Sequence, residues 1–397
     1  MKPQIVTRHW LAWLVGLAAL ALVPLGIRYG FASSEKYYLH ILIQILLWAF
    51  IYTGWSLMGR FGLTSFGHGA FTGIGAYGVV LLWNYAGITP WIGIPVAVVV
   101  AVIVGLLVGY PCFRLRIVGH YFALLTLALT EFVRLCIVGL RDYTGGSLGT
   151  QPARYGNGIS LYAMQFEPDR VLSYYIALAL WVVGLYVWWR VDRSMDRYAL
   201  DAASQDEDAA ESVGINVTRE KLKITAISAG MCAVGGAIYG QYQMYIGPET
   251  IAGLGVSLNI VFAVIAGGMW VMLGPTVGEV FTQVLSEVLR VTIQGSATMQ
   301  SIFGQGALAL DTMIYGLLLI RLLLALFAAR SDNAFVQFIR GISDLFYAPF
   351  RGIVASPTTP EGYTLALPIV IALVVYLLLH LAVNGLLRMF VHRKTEV

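Results

Sequence analysis

The chain has 397 residues, of which 58% are hydrophobic and 12% charged, and its mean hydropathy is +0.76. A composition so apolar and so poor in charge excludes a soluble globular domain and makes the bilayer the expected solvent. The net charge of +4 gives no electrostatic footprint for nucleic acid. Many of the tryptophans and tyrosines stand at the ends of apolar runs, among them Trp10, Trp83, Trp91, Trp188 and Trp189, as an interfacial belt requires. The three cysteines, Cys112, Cys136 and Cys232, lie in or beside apolar runs without a CxxC or a neighbouring histidine. They read as small hydrophobes, forming neither a metal site nor a disulfide.

A span needs roughly 20 apolar residues. In chain order such runs are predicted at 10–30, 39–58, 69–86, 91–110 and 121–140, then 171–190, 224–246, 257–273, 276–291 and 309–329, with a last run at 363–390. The expected fold is therefore an all-α polytopic membrane protein of about ten transmembrane helices. The first run has a basic start, but its core is long and no A-x-A site follows, so it reads as a retained helix and not a signal peptide. With the N-terminus in the cytoplasm, Arg60, Arg114, Arg116, Arg190, Arg193, Arg197, Arg219, Lys221, Lys223 and Arg330 fall on the inner side. The outer side then receives Arg28, Lys36, Arg141, Arg154 and Arg170, balanced by Glu35, Asp142, Glu167 and Asp169, so the asymmetry obeys the positive-inside rule.

Four stretches interrupt the apolar pattern. The first runs from Gly62 to Tyr77 and holds glycine at 62, 67, 69, 73 and 75, a density that helix propensity does not explain. Gly69 and Gly73 make a small-xxx-small face. The polar Gly62-Leu63-Thr64-Ser65-Phe66-Gly67-His68 reads as broken backbone at membrane depth, tolerated only where protein buries it or it lines a cavity. Close packing and lining of a pathway both account for this stretch, and His68 is either a pathway-facing donor or a structural hydrogen-bonder.

The second stretch is the apolar helix from Gly119 to Arg134, in which Glu131 and Arg134 share a face three residues apart. Ionisable residues inside a span are costly and mark candidate functional sites, the alternative being a structural pair near the interface. This helix leads into Asp142-Tyr143-Thr144-Gly145-Gly146-Ser147-Leu148-Gly149, a re-entrant loop or the start of an external one. The third, Tyr198 to Ile215, is acidic and alanine-rich, reading as a short helix that Gly214 stops with a left-handed cap. Its apolar surface is small, so it is expected either to lie in solvent or to dock on a partner. The fourth, 259–278, carries Gly267-Gly268-Met269-Trp270-Val271-Met272-Leu273-Gly274-Pro275 between two apolar runs, predicted on the inner side. One interrupted segment in each half suggests an internal repeat, and inverted repeats place substrate paths at such breaks.

Together these stretches resemble the permease subunits of branched-chain amino-acid ABC importers, the LivM type in particular. The resemblance runs in order over residues 39–328: the serine-glycine-histidine-glycine-alanine stretch, Gly73-Ile74-Gly75-Ala76-Tyr77, Tyr121-Phe122-Ala123-Leu124 through Glu131 and Arg134, and Thr144-Gly145-Gly146. It continues with Asp206-Glu207, Ala209-Ala210-Glu211, Gly214-Ile215-Asn216-Val217, Gly267-Gly268 and Gly274-Pro275. It implies a type II ABC importer permease fold with two inverted-repeat-like halves over 1–328, in a bacterial inner membrane. The implied partners are a second permease subunit, two cytoplasmic ATPase subunits, an extracytoplasmic solute-binding protein, membrane lipid and a small polar solute. Branched-chain amino acids come first as solute, then urea or short amides, then a sugar. It further implies that Asp206, Glu207, Ala209, Ala210, Glu211, Gly214 and Ile215 couple the chain to the ATPase. The translocation pathway is expected at Ser65, His68, Gly69, Gly73, Gly75, Glu131, Gly267 and Gly268.

No G-x-x-x-x-G-K-[ST] loop occurs, so this chain is expected to bind no cofactor, with ATP bound by the partner subunits. The chain departs from the family pattern at Asp201, Ser204 and Asp208, which bears on which ATPase it would fit, and in its extension over 329–397. Phe335 to Arg351 faintly resembles the YggT family of small membrane proteins. A further span would leave His392-Arg393-Lys394 outside, so the tail reads as a re-entrant hairpin or as an exception to the charge rule. The rival class is a secondary transporter or channel working without an ATPase. A membrane-bound enzyme is disfavoured, since no His, Asp or Glu residues stand at metal-ligand or triad-like spacing within a span.

Overall fold

The computed structural model describes residues 4–30, 34–117, 119–156, 159–166, 170–295 and 336–341. The runs predicted at 309–329 and 363–390 lie outside the described residues, as does the extension 329–397 except for a helical turn over 336–341. In chain order the helices are α1 (Gln4–Gly30), α2 (Glu35–Gly59), α3 (His68–Ala86), α4 (Pro90–Arg114), α5 (His120–Gly139), α6 (Arg141–Thr144) and α7 (Arg170–Asp192). They continue with α8 (Met195–Gln205), α9 (Glu207–Ser212), α10 (Val217–Gln243), α11 (Pro248–Ile251), α12 (Leu254–Gly267) and α13 (Gly274–Gly295). Among the described residues there is no strand, only isolated bridges between Thr150 and Ile246 and between Ser160 and Gln165.

Six described helical segments are long and apolar enough to cross a membrane: α2, α4, α5, α7, α10 and the run Pro248–Gly267. The chain is a multi-pass membrane protein. The ten-span expectation also counts α1, α3, α13 and a run outside the described residues. Helix α10 begins at Val217, ahead of its predicted apolar run, because Asn216 caps it by accepting from the Arg219 N–H. A capped end carries the polar first turns through Lys223 as helix before the apolar part begins.

Contacts divide the chain after Val280. In the first unit α10 is the central post, packed by α2, α3 and α4, with α7 against α2 and α5 against α3. The reason lies in small residues at four-residue spacing. On α4, Gly93, Ala97, Ala101, Gly105 and Gly109 are all buried and form one face. Close approach of backbones is the main source of helix attraction in lipid, where apolar side chains gain nothing by leaving the solvent. A Cβ at Gly75 would stand 2.1 Å from the Ala233 carbonyl oxygen, and one at Gly236 2.2 Å from that of Thr72, so α3 and α10 touch backbone to backbone. Large side chains fill the space on either side, with Trp55, Phe122, Leu57 and Met58 in one cluster and Leu39, Ile43, Leu47 and Tyr174 in another. In the second unit the described residues are the remainder of α13 and the turn 336–341, where Val336 and Ile339 are buried.

Candidate functional site

The chain leaves helix after Gly59 and re-enters it at His68, so the predicted broken backbone spans 60–67. Every neighbour of this segment ties it down. Trp55 Nε1 donates to the Ser65 carbonyl at 2.7 Å, the Phe66 N–H donates to Thr126 Oγ1 at 3.0 Å, and Thr130 Oγ1 donates to the Phe66 carbonyl at 2.7 Å. His68 is fully buried between Trp55 and Phe71, with Nε2 2.7 Å from Ser228 Oγ, whose own hydroxyl reaches the Gly54 carbonyl. Ser228 stands about 8 Å beyond Lys223, where the polar start of α10 ends, at 1.5 Å per residue. In lipid an unpaired backbone group at that depth costs several kcal/mol, roughly, which explains why threonines and a tryptophan surround the break.

A second break faces the first. Between α10 and α12 the chain turns through Gly247 and Gly253, and the short α11 sits between them. The Gly69 N–H donates to Ser257 Oγ at 2.9 Å, and Thr72 Oγ1 donates to the Ile251 carbonyl at 2.7 Å. A Cβ on Gly69 would meet Ser257 Oγ at 2.7 Å, and one on Gly73 would meet Ala252 Cβ at 2.5 Å. Ser65, His68, Gly69, Gly73 and Gly75 are thus all buried inside the subunit. The threonines of α5 and the α11 turn, which give these contacts, were not singled out in the sequence. Their signal was Thr126 and Thr130 on one face of the otherwise apolar stretch 121–130.

Glu131 and Arg134 pair as their spacing predicts, with two hydrogen bonds between guanidinium and carboxylate. A third residue joins them: Arg134 Nη1 donates to Glu249 Oε1 at 2.6 Å, which fastens α5 to α11. Glu249 escaped the sequence reading because it lies 115 residues away, although an acid directly after Gly247-Pro248 is a helix-start signature. The two carboxylates face outward, with the Glu131 side chain 41% and the Glu249 side chain 70% exposed, and Arg134 lies between them at 21%.

The third break holds Gly267 and Gly268, both half-buried, and Gly268 has φ of +100°, which favours glycine. A Cβ on Gly267 would stand 2.0 Å from the Gly274 carbonyl oxygen, so α12 and α13 cross at contact. The sequence placed this turn on the inner side. Instead Thr276 Oγ1 accepts from Trp181 Nε1 at 2.9 Å, and Trp181 is halfway along α7, so the turn lies beside the middle of a spanning helix. Apolar length alone did not reveal that α12, at 14 residues, ends early.

The acidic segment differs from its prediction as well. It is two helices and not one, because Asp206 leaves the helical region and caps α9, accepting from the Ala209 N–H at 3.0 Å. Gly214 closes α9 at φ +88°, with the Ile215 N–H bonded to the Ala210 carbonyl, as a left-handed stop requires. Nor does the segment float. Glu207 pairs with Lys221 at 2.5 Å, both largely buried, Arg116 holds Asp208 and Glu211 at 2.5 and 3.0 Å, and Ala210 packs with Ala203 and Val217. The outward face that remains carries Asp206, Ala209, Ser212 and Val213, the last 76% exposed.

Comparison with known proteins bears on this arrangement. Residues 37–323 match the model of the family described as branched-chain amino acid transport system / permease component. The chain is 31% identical over 297 residues to the high-affinity branched-chain amino acid transport system permease protein LivM of Salmonella typhimurium, covering 69% of this chain and 67% of that one. The LivM protein of Escherichia coli gives the same identity and coverage. The probable branched-chain amino acid transport permease protein LivH of Methanocaldococcus jannaschii is 24% identical, covering 71% of this chain and 90% of that one. No solved structure matches. With a family model matching most of the chain and 31% identity to a LivM permease, it is a transport subunit of the ABC permease class, and the chain belongs to the branched-chain amino acid transport system permease family.

Proposed function

We propose that this chain is half of the translocation pathway of an ATP-driven importer for branched-chain amino acids. Its partners are a second permease subunit, two ATPase subunits on the cytoplasmic side and an extracytoplasmic solute-binding protein. The observation that carries the reading is the acidic pair of helices, locked to the permease by Glu207–Lys221 and Arg116 yet presenting an unused face. A rigidly mounted short helix with Ala209 and Val213 outward transmits a push from a docked partner into α10, whereas a solvated loop would absorb it. In this reading Asp206, Glu207, Ala209, Ala210, Glu211, Gly214 and Ile215 act as one coupling element. Ala210, being buried, fixes the element from within, while Ala209 and Val213 meet the ATPase.

The pathway follows α5. Ahead of Arg114 at its last residue, the outward face of α4 is apolar or aromatic, including Val99, Ile103 and Leu107, as lipid demands, but α5 carries the charges of Glu131 and Arg134. Charge facing hydrocarbon is expensive, so the α5 face meets protein or water and is where the second permease subunit would close the path. Ser65, His68, Gly69, Gly73 and Gly75 shape that wall from behind, and Gly267 and Gly268 give the corresponding break of the second half in an inverted-repeat-like fold.

The test is uptake by the complex reconstituted with its binding protein. Ala209→Arg and Val213→Asp are expected to abolish solute-stimulated ATP hydrolysis and leucine uptake while leaving membrane insertion and solubility unchanged. Wild-type uptake that follows an ion gradient and ignores ATP would establish the secondary-transporter reading instead.

A further inference from the structure

Between α4 and the start of α10 lies a groove of about 710 Å³, open to the surroundings and at the same end of the bundle as α8 and α9. Its upper wall is cationic. Arg114 donates to the Tyr110 hydroxyl at 2.6 Å and lies over that ring, and Arg219 stands across from it on the first turn of α10. Among the described residues neither arginine pairs with a carboxylate. The third cation, Lys223, is already answered by Glu220 at 2.7 Å and Asp196 at 3.2 Å. The positive end of α10, a helix of 27 residues, adds to the field beside Thr218. The lower wall is hydrocarbon: Leu106, Leu222 and Ala226 line it, and it continues onto the bare face of α4, where Leu107 is 69% and Ile103 50% exposed.

We propose that this groove is a binding site for an anionic glycerophospholipid, its phosphate between Arg114 and Arg219 and its acyl chains along Ile103 and Leu107. The match is one of charge and of polarity order. Two uncompensated guanidinium groups at the membrane boundary call for an anion, and an apolar track running from them into the membrane calls for that anion to carry hydrocarbon. A soluble phosphate would use the first feature and leave the second bare. An acidic protein segment would leave the track facing lipid in any case. The proposal rests on α4 and α10 being spanning helices and on nothing about solute or ATP; only the choice of the cytoplasmic leaflet follows from the reading of α8 and α9 given above.

The full-length chain, with the subunits that copurify, is placed in nanodiscs of phosphatidylcholine with a minor fraction of phosphatidylglycerol, and the lipids it retains through detergent extraction are counted by native mass spectrometry. Wild type is expected to retain phosphatidylglycerol over phosphatidylcholine. Arg114→Gln and Arg219→Gln are each expected to lower that retention about fivefold, the weight of one basic residue near a charged membrane surface. Arg193→Gln, a basic residue at the same end that stacks on Trp189 outside the groove, is expected to leave retention unchanged. Equal loss in Arg193→Gln makes the effect one of diffuse charge and overturns the proposal. So does unchanged retention in both groove variants, displacement of phosphatidylglycerol by inorganic phosphate, or loss of copurifying subunits from the variants with lipid retention intact. If Arg114→Gln does not accumulate, Arg219→Gln carries the same reading, since that side chain is exposed.

Discussion

Gly230 and Gly236 stand on the same helix, yet an added methyl group has opposite consequences at the two. At Gly236, and at Gly75 opposite it, the new carbon would lie about 2 Å from a backbone oxygen that has nowhere to go. At Gly230 it would rest 3.6 Å from Val98 and Val102, an ordinary contact. Gly75→Ala is therefore expected to cost about 1–3 kcal/mol by forcing α3 off α10. Gly230→Ala is expected to be neutral or to stabilise by up to about 1 kcal/mol, through helix propensity. Thermal unfolding in one detergent checks both, and a lower melting temperature for Gly230→Ala than for Gly75→Ala would contradict the close crossing. The same scale explains why the glycine-rich stretch was visible in sequence while its meaning was not. The count of glycines is local, but what Gly69, Gly73 and Gly75 touch, Ser257, Ala252 and Ala233, comes from more than 150 residues further along.

At the scale of elements, α9 has six residues and no helix so short holds itself together in water. Its order derives from outside: Asp206 at one end, Gly214 at the other, and the Glu207–Lys221 pair beneath. Removing one partner of a buried pair strands the other, at about 3–5 kcal/mol. Lys221→Met is thus expected to raise amide hydrogen exchange over 206–215 strongly while the middle of α10 keeps its protection. Val213→Asp, on the outward face, is expected to leave exchange in that segment as it is. Equal exchange in wild type and Lys221→Met would mean that the segment is held by something other than this pair. Sequence revealed the acidic composition and the glycine stop, because both are short-range signals. It did not reveal the break at Asp206 or the tether, because an aspartate in an alanine-rich run reads as helix until Ala203 and Val217 close on Ala210 from two sides.

For the whole molecule, the helix directions place the 140–166 segment at one end and α8 with α9 at the other, since α5, α7 and α10 each connect the two. With the N-terminus in the cytoplasm, Ser147, exposed on the first end, faces out, and Val213 faces in. In a background in which the exposed Cys136 is replaced by serine, leaving the buried Cys112 and Cys232, a membrane-impermeant maleimide is expected to label Ser147→Cys on intact cells. Val213→Cys is expected to label only after permeabilisation, and the reverse pattern would invert the orientation.

Apolar length, glycine density and the isolated Glu131–Arg134 pair are properties of neighbouring residues, and from these the sequence by itself determined a multi-pass helical membrane protein and located its interruptions. Their depth, the joining of Glu249 to Arg134, the burial of His68 and the mounting of α9 were decided only in the tertiary structure. In a bilayer every backbone group freed by a break must find its partner within the protein. Those partners, Thr126, Thr130 and Ser257, lie far along the chain and are brought to the breaks only when small-residue faces let the helices meet.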